Sequence, residues 1–218
     1  MTVTVILGCT FDPVHEGHLQ TAKSIADLFV DCRVILIPCY IPPHRAVPGV
    51  SAGDRLAMVN LAIADDPRLA SDDIELRRKG VSFTIDTLRR YRHELGPEAS
   101  LVFVMGSDAW PTLPTWHDWQ EMTDYAHLMI VERPGVHPPE PAVLGEWAAE
   151  RNASGPEDLA GSGCGQIWRA RLTQVEVSAT AVRDILRNGG DAAGLVPAPV
   201  LSYITEEQLY LALNDVDG

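Results

Sequence analysis

Basic residues are in deficit: 17 Lys and Arg stand against 30 Asp and Glu, a formal net charge of −13 over 218 residues. That balance argues against a duplex-binding protein, whose phosphate contacts need a basic face. It leaves room for a small anionic substrate, because a local pocket can be positive on an acidic protein. Long apolar runs are missing too, and none approaches the ~20 residues that a bilayer crossing needs. The segment Met1 to Gly8 lacks the basic stretch of a signal peptide and reads as a strand. Cysteine is scarce. Cys9, Cys32, Cys39 and Cys164 have neither metal-type nor CxxC spacing, so reduced thiols in a cytoplasmic protein are expected. There is no internal repeat and no low-complexity tract. What remains is 46% apolar and 22% charged, the make-up of an ordinary globular chain. Its length suits one sizeable core, so a single domain over 1–218 is expected.

Apolar patterning then predicts alternating strands and helices. Val3 to Leu7 is a buried strand, Gly8 to Gly17 a loop, and His18 to Phe29 a helix with Leu19, Ala22, Ile25, Ala26 and Phe29 at helical spacing. Arg33 to Pro38 is a second strand. Ser51 with Asp54 resembles a capping box opening a helix to about Ala64. Ile74 to Leu76 reads as a short strand, and Ser82 as the cap of a helix running to about Leu95. Leu101 to Met105 and Leu128 to Val131 are further strands, separated by a short tryptophan-rich helical stretch. Residues 134–165 are rich in Pro and Gly, with helix-like residues around Leu144 to Arg151, and read as an insertion at the sheet edge. Gln166 to Arg171 and Gln174 to Val177 follow. A helix over Ala179 to Arg187 and another over Pro199 to Leu211 make 178–212 a C-terminal helical part. Nearly all-apolar strands alternating with helices imply an α/β fold, a mostly parallel sheet covered on both faces. In such sheets ligands bind at the carboxyl ends of strands. The loops after Leu7, Ile37, Met105 and Val131 are therefore expected to converge on one crevice.

Gly8 to His18 carries the chemistry. A buried strand delivers the chain through a small-residue turn to a helix N-terminus at Gly17 or His18. Such a terminus offers unpaired N–H groups and partial positive charge to a phosphate. His15 and His18, three apart, can bring both rings near one point. Two imidazoles there can donate to the charge that grows on a pentavalent phosphorus. No serine or cysteine nucleophile is needed, and an acceptor that is itself a phosphate needs no general base. A lone His-x-x-His would equally serve a solvated loop or a metal, and Cys9 by itself reads as a small buried residue. Ser178 to Arg183 reads as a capped helix start, with a second phosphate site as the alternative.

The order Gly8-Cys9-Thr10-Phe11-Asp12-Pro13-Val14-His15-Glu16-Gly17-His18 resembles the His-x-Gly-His signature of the nucleotidyltransferases. Its wording is similar to the bacterial nicotinate-nucleotide adenylyltransferase family. Pro42-Pro43-His44-Arg45, Ser82-Phe83-Thr84 with Thr87, Gly106-Ser107-Asp108, Leu113-Pro114-Thr115-Trp116, Arg133-Pro134-Gly135 and Ser178-Ala179-Thr180-Ala181-Val182-Arg183 resemble its later motifs, in family order. One position departs: the family usually has glycine where Cys9 stands. A narrowed pocket or altered backbone is the expected consequence.

The resemblance implies a Rossmann-like nucleotidyltransferase fold. It also implies transfer of the adenylyl group of ATP, with Mg2+, to nicotinate mononucleotide in NAD biosynthesis. His15 and His18 are the implied catalytic pair. ATP contacts are implied at Gly8, Thr10, Phe11, Gly17, His18, His44, Arg45, Ser178, Thr180 and Arg183. Contacts to nicotinate mononucleotide are implied at Cys9, Thr84, Gly106, Asp108, Trp116 and Arg133, with Trp116 stacking on the pyridinium ring. No protein ligand to the metal, no nucleic acid and no membrane are expected, and a homo-oligomer is left open. Nicotinamide mononucleotide or another phosphorylated acceptor is the alternative substrate. A weakly catalytic nucleotide-binding protein is the alternative class.

Overall fold

A computed structural model of the chain describes residues 2–43, 48–132, 139–173 and 175–211. The elements run β1 (Val3–Cys9), α1 (Glu16–Ala26), β2 (Cys32–Pro38), α2 (Ala52–Ile63), β3 (Leu69–Ser71), α3 (Ile74–Arg78), α4 (Thr84–Leu95) and β4 (Leu101–Gly106). Two 3-10 turns, Trp110–Thr115 and Trp119–Glu121, lead into α5 (Met122–Tyr125) and β5 (His127–Glu132). Then follow α6 (Ala142–Ala149), α7 (Pro156–Ala160), β6 (Ile167–Arg171), α8 (Ala179–Arg187) and α9 (Ala198–Glu206).

The six strands form one sheet in the order β3-β2-β1-β4-β5-β6, every pair parallel. This is the doubly wound Rossmann order, with its switch point between β1 and β4. The side-chain period of two splits the core. Val3, Val5, Leu7, Val34, Leu36, Val102 and Val104 face one side, packed with Leu19, Ile25, Met58, Val182 and Val200 of the helices. Ile6, Ile37, Leu101, Phe103, Met105, Leu128 and Ile130 face the other, packed with Ile85, Leu88, Leu113 and Leu144. Both faces of the central strands are thus covered by helices, which is why those strands read as unbroken apolar runs. Residues 139–165 carry α6 and α7 and lead from β5 to β6, which is the edge strand.

Three local expectations are corrected. Ile74–Leu76 lies in helix α3, and the strand is Leu69–Ser71. The Ile-Glu-Leu alternation mimics a strand, but Asp72 Oδ1 accepts the Ile74 N–H at 2.9 Å and starts a helical turn. Ser82 does not cap α4. Its Oγ accepts the Tyr40 N–H at 2.8 Å, and Phe83 takes the cap position. The last helix ends at Glu206, after which Gln208 and Tyr210 turn with φ of 53° and 60°. Ser51, by contrast, accepts the Asp54 N–H and caps α2 as its sequence suggests.

Candidate active site

A crevice of about 1790 Å3 opens at the carboxyl ends of the strands, over the β1/β4 switch point. It is lined by the loop after β1, by Cys39, Pro42 and Pro43 after β2, by Gly106 at the end of β4 with Asp108, Thr112, Trp116 and His117 beyond it, by Val131 of β5, and by the start of α8. Gly8, Cys9, Thr10, Phe11, His15, Gly17, His18, Thr84, Gly106, Asp108, Trp116, Ser178, Thr180 and Arg183 all border it. His44, Arg45 and Arg133 lie outside the described residues. Motifs up to 175 positions apart in sequence therefore share one wall.

The first motif is built tightly. His15 is the N-cap of α1, and its ring stacks on that of His18 with centroids 3.7 Å apart and planes 23° apart. The His15 backbone N–H donates to His18 Nδ1 at 3.3 Å. With Nδ1 accepting, a neutral His18 carries its proton on Nε2. Phe11, buried and in the left-handed region at φ 52°, sets its ring edge against His18 at 4.9 Å. Gly17 has a steric reason. A Cβ there would meet the His15 ring and the Val175 carbonyl oxygen at 3.1 Å.

Cys9 takes ordinary strand backbone. It ends β1 in register with Pro38, outside the left-handed region. Its consequence is local: Sγ sits 3.5 Å from His18 Nε2, on the side of the ring that carries the proton.

The second motif is tied to the first. Ser178 Oγ accepts the Ala181 N–H at 3.2 Å and caps α8. Arg183 donates from Nη2 to Thr180 Oγ1 at 3.1 Å and from Nη1 to the Asp12 carbonyl at 2.6 Å. Asp12 is buried and also receives the Tyr210 hydroxyl at 2.7 Å. Burial and that bond to Asp12 push the Tyr210 phenol well above its ordinary range.

Beside Thr84, at the start of α4, lies a buried carboxyl. Thr87 Oγ1 donates to Glu75 Oε1 at 2.7 Å, and burial raises the Glu75 pKa against the pull of its hydroxyl partners. Arg78 donates to Thr87 Oγ1 at 3.3 Å and to the Phe83 carbonyl at 3.2 Å. Trp116 is half-buried, edge-on to Phe103 with centroids 6.3 Å apart, and donates Nε1–H to Thr112 Oγ1 at 3.3 Å. Among the described residues no three His, Cys, Asp or Glu side chains gather as a metal site, and no helix is long and apolar enough to cross a membrane.

Sequence reasoning gave no role to Asp12, Arg55, Glu75 or Tyr210. Asp12 lay within the first motif, and Arg55 left a signal of its own: it shares the helical spacing of Met58, Val59 and Ile63, all buried. It donates to the carbonyls of Thr10 at 2.7 Å and Tyr40 at 3.2 Å.

The Cytidylyltransferase-like family model matches residues 6–185. A relative from Marinomonas sp., named "Probable nicotinate-nucleotide adenylyltransferase", is 43% identical over 205 residues, 94% of this chain and 93% of its own. One of the same name from Aeromonas hydrophila is 46% identical over 205 residues, covering 94% and 95%. The solved nicotinic acid mononucleotide adenylyltransferase of Plasmodium falciparum, complexed with NaAD, superposes with a TM-score of 0.72 at 16% identity, over 96% of this chain and 97% of that one. The last likeness shows the fold. With the full-length sequence identities, the chain belongs to the cytidylyltransferase-like family and, within it, to the nicotinate-nucleotide adenylyltransferases.

Proposed function

We propose that this protein transfers the adenylyl group of ATP to nicotinate mononucleotide, releasing pyrophosphate and forming deamido-NAD. The observation that carries the reading is one crevice bordered both by the stacked His15–His18 pair with the Ser178–Arg183 helix start and by Thr84 and Trp116. The relatives at 43% and 46% identity bear the name of this activity.

The acceptor 5′-phosphate is already ionised, so it attacks the α-phosphorus in line without a general base. The new P–O bond forms as the bond to pyrophosphate breaks. His18, held by the His15 N–H, presents Nε2–H to the charge growing on the phosphorus oxygens. His15 and the α1 N-terminus add to that field. Gly8, Thr10, Phe11 and Gly17 bring backbone close to ATP. Ser178, Thr180 and Arg183 hold its outer phosphates, the Arg183 fork suiting phosphate oxygens. Mg2+, entering with ATP, would supply charge neutralisation at the phosphates that Ser178, Thr180 and Arg183 hold. The first-turn N–H groups of α4 at Thr84 take the nicotinate carboxylate, and Trp116 stacks on the pyridinium ring. Asp108 and Gly106 meet the ribose, beside Cys9. His44, Arg45 and Arg133 are further phosphate or ribose contacts in this reading. The cytoplasm, where ATP meets reduced thiols, suits a chain whose four cysteines are free.

The test is pyrophosphate release by the purified protein from ATP with nicotinate mononucleotide, and in parallel with nicotinamide mononucleotide. Faster turnover of the acid is expected, because backbone donors repel an amide NH2. His18→Ala is expected to lower kcat by about 10²–10³-fold. Preference for the amide would redirect the substrate assignment. ATP binding without pyrophosphate release would replace the enzyme with a binding protein.

A further inference from the structure

Arg55 is the least expected charge in the fold. It occupies a core-facing position of α2 and is 1% exposed. Taking a guanidinium out of water is costly unless an anion or a full set of acceptors receives it. Among the described residues no carboxylate lies in ion-pair contact with Arg55, and its Nε has no hydrogen-bond partner. Its partners are two neutral main-chain oxygens, Thr10 O at 2.7 Å and Tyr40 O at 3.2 Å. An apolar residue at the same helical position would pack without that desolvation cost, so stability alone does not account for an arginine here.

The two carbonyls explain the placement. Thr10 follows β1 and Tyr40 follows β2, so one fork clamps the two loops that leave adjacent strands at the crevice. In a trans peptide the C=O and the next N–H point opposite ways. Drawing the Thr10 carbonyl onto Arg55 therefore turns the Phe11 N–H away from α2, in a loop that lines the crevice. The Arg55 charge is also felt at the crevice wall. Burial pushes the Cys39 thiol and the Tyr210 phenol up, and the guanidinium opposes both shifts, behind the Thr10 hydrogen bond at Cys39 and the Arg183 charge at Tyr210.

We propose that Arg55 is a positioning residue for the ATP triphosphate, fixing the Thr10–Phe11 peptide from behind and lending an unscreened positive charge to the anion above the loop. The inference rests on the adenylyl-transfer reading, since it needs a polyphosphate in this crevice. It acts through the loop, so ATP binding is expected to suffer and nicotinate recognition, carried by other segments, to be spared.

The experiment compares wild type, Arg55→Met and Arg55→Lys. Calorimetric titration uses a non-hydrolysable ATP analogue and, separately, nicotinate mononucleotide, with thermal melting alongside. Arg55→Met is expected to weaken the analogue at least tenfold and nicotinate mononucleotide less than twofold, with Arg55→Lys recovering part of the loss. A folded Arg55→Met with wild-type analogue affinity, or with equal losses for both ligands, overturns the proposal. If Arg55→Met melts below the assay temperature, Arg55→Lys decides, since it keeps charge and stem without the fork. A three- to tenfold loss confined to the analogue then supports the proposal, and no loss or an even loss overturns it. A wild type that binds no analogue overturns the adenylyl-transfer reading and this inference together. A wild type that binds it, with unaffected variants, overturns this inference alone.

Discussion

The Tyr210 hydroxyl donates to Asp12 Oδ1 at 2.7 Å, joining the end of the described chain to its first motif across 198 residues. Asp12 carries Arg183 on its carbonyl oxygen, so three segments meet at one residue. Tyr210→Phe would leave a buried carboxylate oxygen short of its partner, a loss of about 2 kcal/mol. At this chain length that corresponds to a melting midpoint lower by ~4–8 °C. Thermal melting checks it, and an unchanged midpoint would show that the contact contributes nothing to stability.

Cys9 and His18 make a second testable pair. The thiol sulfur, a weak acceptor, competes with substrate for Nε2–H at 3.5 Å. Cys9→Gly is expected to raise kcat/KM for ATP by roughly two- to fivefold, the equivalent of about 0.5–1 kcal/mol. A glycine at the strand end would lower stability by about 0.5–1 kcal/mol. Steady-state kinetics with ATP varied would refute the competition if Cys9→Gly were slower than wild type.

Gly17→Ala probes the close approach directly. Its new Cβ would press on the His15 ring and the Val175 carbonyl oxygen at 3.1 Å, so the stacked ring must shift. A misplacement of about 1 Å costs about 10²-fold when reacting groups must be aligned, and the shift needed here is a fraction of that. A fall in kcat of about three- to tenfold is expected with little change in melting. A wild-type kcat would mean the stack tolerates the shift.

His127 sets a pH dependence of stability away from the crevice. It is fully buried, with Nε2 2.9 Å from the Ser162 carbonyl and Nδ1 accepting the Gln166 N–H at 3.2 Å. A second ring proton has no acceptor there, and burial holds the folded pKa below the ordinary 6.5. Above that value the ring is neutral in both states and its contribution is complete. As pH falls below 6.5, the unfolded chain takes up a proton first, and stability is lost until the folded ring protonates as well. Melting of wild type and His127→Gln between pH 7.5 and 5 is expected to converge on acidification. Parallel curves would show that His127 is not the titrating group.

Much of the fold was legible in the chain because its signals are local. The central strands are buried on both faces, so Val3–Leu7 and Leu101–Met105 read as apolar runs without any knowledge of their partners. The His15–Gly17–His18 turn was legible because strand, small residues and helix start are contiguous. Ile74–Leu76 misled because three alternating residues fit strand and helix alike, and the Asp72 side chain decided between them. The true strand, Leu69–Ser71, has almost no apolar signature and is ordered by pairing with Val34–Leu36.

The residue sequence by itself determined the class of architecture, the phosphate-handling loop and, through its spaced motifs, the family. The three-dimensional fold decided what those motifs do to one another. It stacked His15 on His18, brought Cys9 against the Nε2 edge of His18, and placed Arg183 and Tyr210 on Asp12. It also buried Arg55 beneath the Thr10 carbonyl. The physical reason is separation along the chain. Helical and strand periodicities report on neighbours within a few residues, whereas contacts spanning 171 and 198 residues exist only once the sheet has set its strand order.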